Sequence, residues 1–227
     1  MRDSEHIPSV SAINKTWSLH MKIEENVLAA IDAASQNDIE RSLLHACLAL
    51  DGTAQKKNGK SHSSRSIYTK FIRDYYWILE PMIGAGINLD DTKWENVDLR
   101  DEKNEPLKNK DMANFIYHIF RCKLAHGNEI PQQYKLLKRG SSQHLYYHIA
   151  NNVLHLPETI IWGLLAISVF SETNKDVITN TNHFLSLGNN QFSISDWWGL
   201  EKSFLPIAEK HNNIRVILQD LSFVKAN

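Results

Sequence analysis

The run "MANFIYHIFRCKLAH", residues 112 to 126, restricts the fold more than any other stretch of the chain. At about 100° per residue, Ala113, Ile116, Tyr117, Phe120 and Leu124 form one apolar stripe, and Phe115, Ile119 and Cys122 form a second. Lys123 is the one position that clearly asks for solvent. A helix apolar nearly all round has to be covered on every side, so the rest of the chain must supply helices to surround it. Between the stripes runs a narrow row of Asn114, His118, Arg121 and Ala125. An arginine on a buried helix is costly unless an anion satisfies it. A carboxylate from a neighbouring helix, Asp74 or Glu80, would do so, and so would a phosphate in a cleft.

The surrounding helices are legible in the hydrophobic periodicity. Residues 15 to 34 place Leu19, Ile23, Val27 and Ala30 at three- and four-residue spacing before a break at Ser35, Gln36 and Asn37. A second helix is predicted from about Asp38 to Lys56, ending in the polar "KKNGKSHSS". A third, about 64 to 83, buries Ile67, Phe71, Tyr75, Ile78 and Met82 and stops at "GAG". Residues 87 to 110 are polar and read as a long exposed loop. The fourth helix runs from Asp111 to Gly127, and the fifth starts near Pro157 and runs through "IIWGLLAISVF". "YKLLKRGSSQHLYYHIANNVLHL" reads as a hairpin about a Gly-Ser-Ser turn, inserted at about 130 to 156. In the last third, "HFLSLGNNQFSI" suggests a short hairpin, followed by a helix from near Asp196 that Pro206 would kink or split. The expected class is mainly α: a single domain over 1 to 227, with a helical core over 15 to 172 and a small α+β extension over 173 to 227.

With 42% hydrophobic and 22% charged residues, the chain has material for one good core, and a net charge of -1 means that nucleic-acid affinity would have to come from a local patch. The N-terminal residues show no signal-peptide pattern, and the longest apolar run, residues 160 to 170, is too short to span a bilayer. A cytoplasmic protein without a membrane partner is expected. Cys47 and Cys122 each sit in an apolar helical pattern far from any CxxC spacing, which suits buried reduced thiols.

Arg121 and His126 stand five residues apart where the apolar helix ends at "AHG". The helix C-terminus favours a protonated imidazole, and a histidine titrating near neutrality serves as acid or base. A second Arg-x4-His match, Arg139 to His144, spans the predicted hairpin turn instead. In its helical context, "RCKLAHG" resembles the Arg-x4-6-His motif of the HEPN superfamily, compact helical bundles found as RNases, toxins and RNA-binding components of prokaryotic defence systems. The resemblance covers about residues 15 to 172. It implies a HEPN-like bundle of four to five helices, in which Arg121 would bind phosphate and His126 would be the acid/base. Cys122 stands where active members often carry a small polar residue.

The chemistry suits such a pair. Attack of a ribose 2′-hydroxyl on its phosphate needs a base, an acid and a cation, with no metal or other cofactor. One arginine and one histidine are too few, so two copies related by a two-fold would complete the set, as the resemblance also implies. The expectation is a metal-independent endoribonuclease acting on RNA as a homodimer, in toxin or antiviral defence and open to control by an antitoxin or other regulatory protein. The alternative is a non-catalytic HEPN-like module that binds RNA or protein. Asn114 and His118 would support the site, and Lys135, Lys138 and Arg139 would contact the RNA backbone, as could Lys56, Lys57, Lys60 and Arg65. His144 and His148 have no third ligand at matching spacing. Trp197 and Trp198 read as core anchors rather than a base-stacking platform.

Overall fold

The computed structural model describes residues 21–60, 64–83, 86–95, 97–98, 100, 105–127, 129–132, 134–137, 148–150 and 153–212. Among them the chain is mainly helical, with two small sheets. The first helix, α1 (Ile23–Ser35), begins at Lys22, while residues 15 to 20 of its expected span lie outside the described residues. Asp38 caps α2 (Ile39–Asn58), which ends at Gly59 in the left-handed region, and the two helices form the antiparallel hairpin that their short connection requires.

The helix expected over 64 to 83 is two, α3 (Arg65–Asp74) and α4 (Tyr76–Ile83). At the joint, the Tyr75 amide donates back three residues to Ile72. The Tyr75 hydroxyl donates to Glu201 at 2.8 Å and bonds to Ser171 at 2.9 Å, so tertiary hydrogen bonds hold the break. Periodicity cannot show this, because the apolar stripe continues across it.

The described residues of 87 to 110 form a loop, as expected, but one that is only partly exposed. It buries Ile87, Leu89, Trp94, Val97 and Leu107, spaced singly among polar residues where no helical or strand period appears. The next helical unit starts at Asp111, whose carboxylate accepts from the Asn114 amide, and runs as α5 (Met112–Phe115), a π-helical stretch (Ile116–Cys122) and α6 (Lys123–Ala125). α7 (Ile160–Phe170) buries every residue but Trp162 and packs on α4 and α2. Full burial of each large apolar side chain contributes about 1.5–3 kcal/mol. This helix begins after Thr159, and Pro157 ends a strand instead of opening the helix.

The expected hairpin insertion is a three-stranded sheet of order β1-β3-β2, built from β1 (Tyr134–Leu137), β2 (His148–Ala150) and β3 (Val153–Pro157). β2 and β3 are antiparallel and only Asn151 and Asn152 separate them in sequence, whereas β1 and β3 run parallel. The Gly-Ser-Ser segment lies outside the described residues. Asparagines tolerate left-handed backbone, a signal that competed with the Gly-Ser-Ser run.

The hairpin near the C-terminus is present as β4 (Phe184–Leu187) and β5 (Asn190–Ser193). The helix after it does split, into α8 (Ile194–Trp197) and α9 (Glu201–His211), but at Gly199 and not at Pro206. Gly199 has φ +72°, and a Cβ there would lie 2.3 Å from the Lys175 Cα. Only glycine fits both demands. Pro206 sits inside α9. The extension closes over an aromatic cluster in which Phe170 stacks on Phe204 at 4.1 Å and Trp197 meets Phe192 edge-on at 4.7 Å. Both tryptophans are anchors, and Trp198 also donates to Thr179.

Candidate functional site

Helix α2 carries one carboxylate inside an otherwise apolar stretch, "ACLALDGTA", and this residue, Asp51, is the anionic partner of Arg121. The Arg121 Nη2 donates to Asp51 Oδ2 at 3.0 Å, with side-chain exposures of 24% and 7%. The guanidinium also stands 5.7 Å from the Tyr117 ring centre. Burial would lower the pKa of Arg121, but the hydrogen bond and charge of Asp51 raise it, so the side chain stays protonated. The two carboxylates expected as partners are engaged elsewhere: Asp74 pairs with Lys70 on the surface, and buried Glu80 accepts from the Leu89 amide. Asp51 lies four residues from buried Cys47, so a lone carboxylate on the buried face of an apolar helix was the signal that could have found it.

The ion pair is monodentate. Asp51 Oδ1 and Arg121 Nε are both buried, and neither has a hydrogen-bond partner among the described residues. Around them lie Cys47, whose thiol burial pushes up to about 12, and Tyr68, whose hydroxyl burial raises well above its ordinary value. Cys47 and Cys122 are both buried and neither is in a disulfide. Fully buried, the Cys47 thiol packs in the core.

Five residues on, His126 is exposed at the helix end, its amide donating to the carbonyls of Cys122 and Lys123. Gly127 follows at φ +70°, the left-handed stop that "AHG" suggested. The pair therefore occupies one helix end, with Arg121 turned to α2 and His126 in solvent. Exposed Ala125 and Gly127 flank the histidine.

The π-helical turns alter the row of Asn114, His118, Arg121 and Ala125. A π turn takes one residue more than an α turn, so positions aligned at 100° per residue drift apart. Asn114 and His118 are buried, Arg121 is half-buried and Ala125 is exposed. The Asn114 side chain accepts from Arg65 and donates to Asp111, while the His118 ring lies edge-on to Tyr117 at 5.0 Å. Lys135 is exposed on β1, whereas Lys138, Arg139 and His144 lie outside the described residues. Of the cations expected in the second loop, Lys57 lies in the last turn of α2 and donates to the Tyr75 hydroxyl, and Arg65 opens α3 and is committed to Asn114.

Asp111 anchors the start of this helical unit. Burial would raise its pKa, but the hydrogen bonds from Arg73 and from the Asn114 amide lower it below 3.8. A carboxyl depressed in the folded state contributes stability above its unfolded pKa, and that stability is lost as pH falls through the folded value. In urea titrations, Asp111→Asn should cost about 1–2 kcal/mol at neutral pH, with Arg73 part-exposed, and the gap to the parent should narrow as the pH falls through and below the ordinary carboxylate range. A gap that stays constant over this range would show that the charge contributes nothing.

Two surface clefts lie away from the pair. One of about 410 Å³ is lined by Met82, Trp162, Phe184 and Leu187, and another of about 480 Å³ by Arg73, Trp77, Glu80 and Glu209. Among the described residues, no group of three or more His, Cys, Asp or Glu side chains is arranged to hold a metal ion, and no helix is long and apolar enough to cross a membrane.

The proteins named "Uncharacterized protein Rv1289" from Mycobacterium tuberculosis (strain ATCC 25618 / H37Rv) and "Uncharacterized protein Mb1320" from Mycobacterium bovis are each 27% identical to this chain over 190 residues, 82% of this chain and 88% of theirs. No solved structure matches it. The family model named Rv1289 spans residues 22–224, covering both the helix pair that holds Asp51 and Arg121 and the C-terminal extension, and the chain belongs to the Rv1289 family.

Proposed function

We propose that this protein is a metal-independent endoribonuclease of HEPN type, acting through a composite Arg121 and His126 site at a homodimer interface in toxin or antiviral defence. The observation that carries the reading is the helix end itself: a part-exposed guanidinium held in place by Asp51, with an exposed imidazole five residues on, beside a left-handed glycine. Arg121 offers charge to a phosphate, and His126 moves the proton of the 2′-hydroxyl or of the leaving 5′-oxygen. One copy supplies one imidazole, and the two proton transfers call for two. A second copy approaching at exposed Ala125 provides it. Exposed Lys135, with Lys138 and Arg139 near it in sequence, contributes to holding the RNA backbone, while Asn114 and His118 support the helix from within. An antitoxin or other regulatory partner fits the same exposed helix end.

The second reading, a HEPN-like module that binds RNA or protein without cleaving it, draws on one observation. Asp51 already neutralises Arg121, which weakens its pull on a phosphate. The test is to incubate the protein with single-stranded RNA in excess EDTA and to measure its mass by light scattering. Cleavage should survive chelation and leave 2′,3′-cyclic phosphate or 3′-phosphate ends, and the protein should run as a dimer. Strict dependence on added divalent metal, or full activity as a monomer, would sink the composite site.

A further inference from the structure

An arginine and a carboxylate pair best as a fork of two parallel hydrogen bonds, and here only half of the fork is made. Nη2 of Arg121 reaches Oδ2 of Asp51 at 3.0 Å, while the neighbouring donor, Nε, and the neighbouring acceptor, Oδ1, are both buried and lack a partner among the described residues. Leaving such atoms unsatisfied is costly, so the site favours a group that satisfies both at once. The requirement is narrow. Nε needs an acceptor, and the carboxylate Oδ1 needs a donor. A phosphate oxygen answers the first alone and an ammonium the second alone, whereas a hydroxyl does both with one oxygen and can replace a water that does the same.

We propose that Asp51 and Arg121 form a hydroxyl-reading pair that takes the 2′-hydroxyl of a ribose and thereby selects RNA over DNA; the assignment rests on the RNA reading of the same site. Asp51 and Arg121 come from different helices, α2 and the π-helical stretch, so the pair depends on the tertiary packing that joins them. The way in is through the guanidinium head. Arg121 is the more exposed partner of the two, with 24% of its side chain exposed against 7% for Asp51, so a ribose meets the pair from the arginine side. The phosphate that follows the bound ribose then meets the guanidinium donors that face solvent. Asp51 is a specificity-determining residue in this assignment, and the carboxylate disfavours ligands that offer only negative charge.

The experiment uses the His126→Ala protein, so that bound RNA is not consumed, and compares one short single-stranded sequence made as RNA, as DNA and as 2′-O-methyl RNA. RNA should bind roughly ten- to a hundredfold more tightly than DNA, as expected for one hydrogen bond to a charged group. The 2′-O-methyl form keeps the acceptor and loses the donor, so it should bind like DNA. Adding Asp51→Ala, which removes the acceptor altogether, should bring the RNA-to-DNA ratio close to one. The 2′-O-methyl comparison needs no change at Asp51 and so stands even if that variant folds poorly. Equal binding of RNA and DNA, or 2′-O-methyl RNA binding as tightly as RNA, overturns the hydroxyl assignment and leaves the RNA site in place. No binding of any of the three overturns both.

Discussion

Replacing His126 with alanine should cut RNA cleavage by roughly two to four orders of magnitude, the usual loss when a positioned acid or base is removed. The fold should hardly notice. His126 is exposed after the last helical residue, and its backbone amide, which alanine keeps, makes the capping bonds to Cys122 and Lys123. Surface changes of this kind cost within about 0.5 kcal/mol, so the thermal midpoint should stay within about 2 °C of the parent. Measured side by side, a lost activity with an unmoved midpoint separates chemistry from folding. Unchanged cleavage in the variant would leave the binding-module reading standing.

Arg121→Ala should behave oppositely, removing activity and stability together. It leaves the Asp51 carboxylate buried without its cation, and breaking such a pair from this side should cost about 3 kcal/mol, or about 6–12 °C in midpoint for a chain of this length. Asp51→Ala should cost less, because Arg121 is a quarter exposed and can turn its charge to water. The double variant should recover part of the loss seen with Arg121→Ala alone. Urea unfolding of the four proteins gives the comparison as a double-mutant cycle. If Asp51→Ala were the more damaging single change, the carboxylate would be holding more than this arginine.

Both tests depend on features of unequal visibility in the sequence. The helix ending at "AHG" was readable to within two residues, because its cap at Asp111, its apolar stripes and its left-handed glycine are local signals. The hydrophobic runs of α2 and α7 were equally plain. The partner of Arg121 was not: Asp51, Asp74 and Glu80 are all carboxylates near apolar helical positions, and only the packing of α2 against the π-helical stretch selects among them. The π-helical stretch itself escaped, since a period of 3.6 residues was assumed across Ile116–Cys122 and a single extra residue per turn leaves no mark in composition. The same limit explains the loop over 87 to 110, where Leu89 and Trp94 are buried one at a time with no period to announce them.

What this sequence determined by itself is what short-range chemistry enforces: the capped ends of α2 and of the helix at Asp111, which faces are apolar, and that an arginine and a histidine share one helix end. The tertiary structure alone decided which groups meet across elements. β1 joins β3 in parallel, Gly199 is required because Lys175 passes 2.3 Å from where its Cβ would be, and Asp51 is the residue that holds Arg121. Hydrogen-bond caps and hydrophobic periods act over a few residues, so they are written along the chain. Ion pairs and strand partners depend on distances between segments far apart in sequence, and those distances exist only after the core has packed.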